Sequence, residues 1–129
     1  MLGAVLIATT LTAAGMRGDQ DPRPPSALTG ADWKAYSSQA RQAYVSGFLA
    51  GAATAQAALT VPASKEDSAA APSVVIARLR SEKRLRFPYA ASVYSVQLDD
   101  YFWYADHAGT PIVDVMADVN HRMLEPQGR

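Results

Sequence analysis

Asp99, Asp100, Asp106 and His107 crowd into nine residues, and Asp114, Asp118 and His121 follow at spacings that share much of one helical face. Carboxylates and imidazoles at this density are the raw material of hard-ligand metal sites and of general acid–base hydrolysis. Neither set matches a ligand spacing with a mechanism behind it, and solvated helix surface is the better account of both. A hydrolase built on the Asp99–His107 cluster would need those side chains to converge in a pocket. Cysteine is absent, which removes thiolate ligands, cysteine nucleophiles, disulfides and a lipoprotein acylation site together. No serine has a nucleophile-elbow context and no glycine loop is built to cradle phosphate, so no catalytic residue, metal or cofactor is assigned.

Binding chemistry is better represented. Arg78, Arg80, Lys83, Arg84 and Arg86 form a basic run opposed only by Glu82, whereas residues 99–118 carry five acids and no lysine or arginine. The run reads first as a solvated helix face, with docking of the basic helix near the acidic C-terminal pair as its internal use and an anion-facing patch as its functional one. Net charge is zero, with 12 bases and 12 acids, so nucleic acid would depend on this one patch for every phosphate contact and is disfavoured. Tyr101, Phe102, Trp103 and Tyr104 are consecutive aromatics, and consecutive helix positions point in different directions. They cannot all face one core. Trp103 lies farthest from the Tyr94–Leu98–Tyr101 side, so it and Tyr104 are the candidate anchors for a partner, together with Arg80, Lys83 and Arg84. The alternative is that the helix ends here and the spare rings fold back onto the core.

The elements that must position these groups read as helices. Thr29 and Asp32 have the capping-box spacing, which starts a short helix carrying Trp33. Ser38 then caps a long helix over 38–59, ended by Val61-Pro62. Within it Tyr44, Gly47, Phe48, Gly51, Ala52 and Ala55 fall at helical spacing, as two aromatic knobs beside a strip of small residues. A glycine in a helix interior costs about 1 kcal/mol relative to alanine, so two in register suggest that a neighbouring helix packs against the strip. Gly51→Leu is therefore expected to overpack the fold. No charge occurs between Arg41 and Lys65, which raises a transmembrane helix as an alternative, but Gln42, Ser46, Thr54, Gln56 and Thr60 argue for a buried central helix instead. Residues 60–72 read as a surface loop. Ser73 caps the next helix with Val75, Ile76 and Leu79 inside. Phe87-Pro88 separates it from a helix bearing Tyr94, Leu98, Tyr101, Phe102 and Ala105 on one side. Thr110 with Pro111 opens the last, where Ile112, Val115, Met116, Val119 and Met123 form the apolar stripe and Asp118 pairs with Arg122.

The fold class is thus all-α: a small bundle of about four to five helices around the central small-residue helix. Its expected core includes Trp33, Tyr44, Gly47, Phe48, Gly51, Leu98, Tyr101, Phe102, Val115 and Val119. The helical domain covers 29–125. Ahead of it, residues 1–15 combine an uncharged apolar run with Ala13-Ala14-Gly15, the pattern of a secretory signal, and 16–28 read as an extended, proline-rich tether. The expected location is periplasmic or secreted. If the leader stays uncleaved, the protein is instead a membrane-anchored component.

Trp33, the Tyr44-x-x-Gly47-Phe48-x-x-Gly51 core, Leu98-Asp99-Asp100-Tyr101-Phe102 and Pro111-Ile112-Val113 together resemble small periplasmic helical proteins, the best known being the Rap/Tai-like immunity proteins that neutralise amidases of type six secretion. Those proteins commonly carry disulfide-forming cysteines, and this chain has none. The resemblance implies a secreted bundle that binds another protein and does no chemistry.

Overall fold

The computed structural model describes residues 22–60 and 71–126; the leader, tether residues 16–21 and most of the 60–72 loop lie outside the described residues. The described chain forms five helices: α1 (Gly30–Ala35), α2 (Ser38–Thr60), α3 (Pro72–Ser81), α4 (Ala91–Tyr101) and α5 (Ile112–Leu124). They pack in the order α3–α2–α4–α5, so that α2 and α4 are each covered on two sides. The architecture is an all-α bundle.

Local chemistry explains the helix starts. At α1 the capping box forms: the Thr29 N–H donates to Asp32 Oδ2 at 2.8 Å. Asp32 also accepts from both terminal nitrogens of Arg23, at 2.6 and 3.2 Å, and this partnership with the guanidinium holds its carboxyl below the usual aspartate value. α2 is capped one residue earlier than expected, because Ser37 Oγ, not that of Ser38, accepts the Ala40 N–H at 3.1 Å. Ala71 rather than Ser73 is the N-cap of α3, with Pro72 at its first position. Pro111 itself is the N-cap of α5, and the Thr110 carbonyl is turned instead toward Gly30, whose N–H it accepts at 3.0 Å. With the Ala31 N–H bound to Ala108 O and the Ile112 N–H bound to Leu28 O, both at 2.9 Å, this short antiparallel bridge straps the start of α1 to the start of α5.

The main core gathers Leu28, Trp33, Val45, Tyr94, Leu98, Phe102, Ile112, Val115, Met116 and Val119, with Tyr44, Phe48 and Tyr101 half-buried against it. Edge-on and tilted ring contacts join its aromatics: Trp33 to Tyr44 at 6.5 Å, Trp33 to Phe102 at 6.4 Å, and Phe48 to Phe87 at 5.2 Å. A smaller cluster of Ala57, Val75 and Leu79 joins α3 to the far half of α2. The last tether residues belong to the domain rather than to an extended lead-in: Pro25–Ala27 form a 3₁₀ turn, Leu28 is buried, and Pro25 O accepts from the Tyr44 hydroxyl at 3.3 Å.

Two expectations about α2 are corrected. Gly47 and Gly51 are not core residues; they are exposed, and a Cβ added at either would meet nothing within 4 Å. The helix is central, but its glycines lie on its outer face while Val45 and Ala57 point inward. The glycine that close packing does require is Gly30. No described helix is long and apolar enough to cross a membrane, α2 included.

Candidate functional site

α4 ends at Tyr101, so the four consecutive aromatics straddle a helix terminus instead of winding around a helix. Phe102 is the C-cap, its N–H bound to Leu98 O at 2.9 Å, and its ring turns into the core. Trp103 then has no inward direction left and stands 81% exposed, with Tyr104 at 59%. Ala105, expected on the buried stripe, is exposed at the start of a 3₁₀ turn over Ala105–His107.

That turn is tightly built. The imidazole of His107 stacks on Tyr101 at 4.2 Å and meets the Tyr104 ring edge-on at 5.6 Å. Its Nδ1 lies 2.7 Å from the Tyr101 carbonyl, which only accepts, so Nδ1 carries the proton. The His107 carbonyl in turn accepts the Thr110 N–H at 3.0 Å. Trp103 is therefore presented from a rigid corner.

Beside Trp103 lies a cleft of about 490 Å³ lined by Trp33, Lys34, Arg41, Asp99 and Phe102. Arg41 is its organising residue. Its Nε and one terminal nitrogen donate to the Trp33 and Lys34 carbonyls at 2.8 and 3.2 Å, which satisfies the free end of α1, and the other terminal nitrogen reaches Asp99 Oδ1 at 2.9 Å. The guanidinium carbon sits 5.5 Å from the centre of the Trp33 ring, and Trp33 Nε1 donates to the same Asp99 oxygen at 2.8 Å. One arginine thus ties α1, α2 and α4 together under the cleft. Nothing in its spacing sets Arg41 apart in the sequence, and its one signal there is its place as the last charge before the long uncharged interval of α2.

The other candidate residues are elsewhere. Arg84 binds Glu82 at 3.2 Å, Lys83 occupies the left-handed turn that ends α3, and Arg80 lines a groove between α2 and α3. Gln56 holds this region to α2, accepting the Arg86 N–H and donating to Arg84 O, each at 2.7 Å. Arg41 and Gln56 are about 22 Å apart along α2, at about 1.5 Å per residue. The aromatic and basic candidates consequently do not share one patch.

Among the described residues no ion pair joins Arg78–Arg86 to the Asp99–Asp118 acids, and Asp118 does not pair with Arg122; His121 lies 3.1 Å from Glu125 instead. The Asp99–His107 cluster does not converge either. Asp99 is engaged by Arg41 and Trp33, Asp100 and Asp106 are exposed, and His107 is turned onto Tyr101. Among the described residues no three histidine, aspartate or glutamate side chains are grouped to hold a metal ion. Compared with protein-family models, with curated proteins and with solved structures, the chain shows no significant match to any of them.

Proposed function

We propose that this is an exported binding protein whose work is to dock another protein through the Trp103 corner and the cleft beside it. The observation that carries the reading is the exposure of Trp103, 81%, on a corner fixed by the His107 stack. Tryptophan, tyrosine and arginine are the side chains that most often dominate interface energies. Trp103, Tyr104 and Arg41 supply one of each around a cleft in which Trp33, Arg41 and Asp99 are already hydrogen-bonded to one another. Such a surface loses little conformational freedom on binding. The leader motif supports export, and the resemblance to amidase immunity proteins supports an immunity-like or inhibitor-like role with an exported enzyme as the partner.

The test is a pull-down from the native periplasm with the wild-type protein and Trp103→Ala side by side. A partner retained by the wild type and lost by a normally folded Trp103→Ala supports the reading. Equal recovery by both proteins removes the corner from the interface, and a mature protein found only in an alkali-resistant membrane pellet removes the exported soluble form.

A further inference from the structure

The groove that contains Arg80 differs in chemistry from the Trp103 corner. It runs between α2, α3 and the segment leading into α4, with a volume of about 630 Å³. Its floor is apolar: Leu49, Ile76, Leu85 and Phe87 are half-buried there, with the Phe87 ring held edge-on between Phe48 and Tyr94 at 5.2 and 6.0 Å. On the α2 side the lining is Ser46, Ala50, Ala53 and Thr54, too short to fill the space between the helices. The small residues of α2 keep a channel open here.

The channel is also fixed in shape. Gln56 clamps the backbone of Arg84 and Arg86, and Asn120 Nδ2 donates to Arg86 O at 2.9 Å from the opposite side. These bonds hold the basic segment by its main chain and engage none of its basic side chains. Arg78, Arg80, Lys83 and Arg86 make no ion pair among the described residues, and Glu82, already bound to Arg84, is the only acid between residues 72 and 98. Part of this charge is accounted for by helix electrostatics, since Arg78 and Arg80 occupy the last turn of α3, where cations are favoured. That preference does not account for a channel whose lining holds Arg80 and no acid, with Lys83, Arg84 and Arg86 flanking Leu85 of the same lining in the chain.

From this charge imbalance over an apolar floor we infer that the groove binds an acidic amphipathic peptide segment of a protein partner: large apolar side chains inserted against Leu49, Ile76 and Phe87, with carboxylates meeting Arg80 and its basic neighbours. Carboxylates suit arginine because two parallel hydrogen bonds can form at once, and an apolar floor beside them raises the strength of each charged contact. The surface is separate from the Trp103 corner and does not depend on it.

A random twelve-residue peptide display library selected against the full chain tests the inference. Enriched sequences should combine aspartate or glutamate with leucine, isoleucine or aromatic residues. Synthetic versions should shift the amide resonances of Ala50, Ala53, Ile76 and Leu85, and should lose about tenfold or more in affinity for Arg80→Glu while binding Trp103→Ala as the wild type does. The melting temperature of Arg80→Glu identifies a folding defect, and Ala53→Trp, which blocks the channel without touching its charge, provides the second variant. Enriched peptides without acids, resonance shifts confined to other faces, undiminished binding to both variants, or self-association of the chain through the groove would each overturn it.

Discussion

The ring of Phe102 occupies the space that a side chain at residue 30 would need: a Cβ built on Gly30 lies 2.3 Å from Phe102 Cδ1 and 3.0 Å from the His107 carbonyl. Gly30 belongs to the strap that joins α1 to α5, and Phe102 is the residue before Trp103. Gly30→Ala should therefore destabilise the fold by about 1–3 kcal/mol through overpacking. Chemical denaturation checks the number. Shrinking the ring should relieve it, so Gly30→Ala combined with Phe102→Leu should lose less than the sum of the two single changes.

Gly51 is expected to behave in the opposite way. It is exposed, with nothing within 4 Å of the position a Cβ would take. Gly51→Ala should stabilise the protein by about 0.5–1 kcal/mol, since alanine restricts the unfolded chain and favours the helix without meeting a neighbour. Gly51→Leu should be tolerated as well. A large loss of stability in either variant would mean that the outer face of α2 is covered in solution.

The contrast between these glycines marks how far the sequence was legible. Periodicity together with helix-start signals located the five described α-helices, and Trp33, Leu98, Phe102, Val115 and Val119 are buried. Spacing alone does not say which side of α2 faces inward, because a helix with no charge from Gln42 to Thr60 gives no polar face to orient it. Gly30 and Arg41 are hidden in the sequence for a different reason: Gly30 is constrained by Phe102 and His107, and the carboxylate that completes the Arg41 site is Asp99, all more than fifty residues away in the chain. Helical geometry left Trp103 either an exposed anchor or a ring folded back onto the core where the helix ends; the helix does stop at Tyr101, Phe102 turns inward, and Trp103 is exposed.

Lys83 closes α3 in the left-handed conformation, with φ of 56°. Its N–H bonds to Arg80 O at 3.1 Å and the Arg84 N–H bonds to Leu79 O at 2.8 Å, the paired hydrogen bonds of a Schellman ending in which glycine usually stands. Lys83→Gly should be neutral to stabilising, by up to about 1 kcal/mol, and Lys83→Val should cost more than that. Thermal melts of the two variants distinguish backbone relief from loss of the lysine charge, since both remove the charge and only one relaxes the backbone.

Tyr94 links the core to the basic segment. Its buried hydroxyl donates to Asn120 Oδ1 at 2.7 Å, and Asn120 Nδ2 passes the link to Arg86 O. Burial disfavours the phenolate and pushes the pKa of Tyr94 up to about 12 from 10.0. The neutral phenol is thus favoured in the folded state. Its stabilisation is complete below pH 10 and is lost as pH rises through 10 toward about 12. Tyr94→Phe should flatten this alkaline decline in urea-melt stability, while costing about 1–3 kcal/mol at neutral pH because the Asn120 carbonyl oxygen is left unpaired.

Arg41 and Trp103 border one cleft but should separate cleanly in their effects. Arg41→Ala removes the donors that satisfy the Trp33 and Lys34 carbonyls and the cation beside Asp99, so it should destabilise by about 1–3 kcal/mol and loosen α1 against α4. Arg41→Lys should recover little, because one ammonium cannot span two carbonyls and a carboxylate while lying over the Trp33 face. Trp103→Ala should stay within about 0.5 kcal/mol of the wild type, as an exposed ring has little packing to lose. Hydrogen exchange at the amides of α1 reads the first effect, and thermal unfolding the second. A marked loss of stability in Trp103→Ala would place the ring among the groups that hold the corner together and take away its availability to a partner.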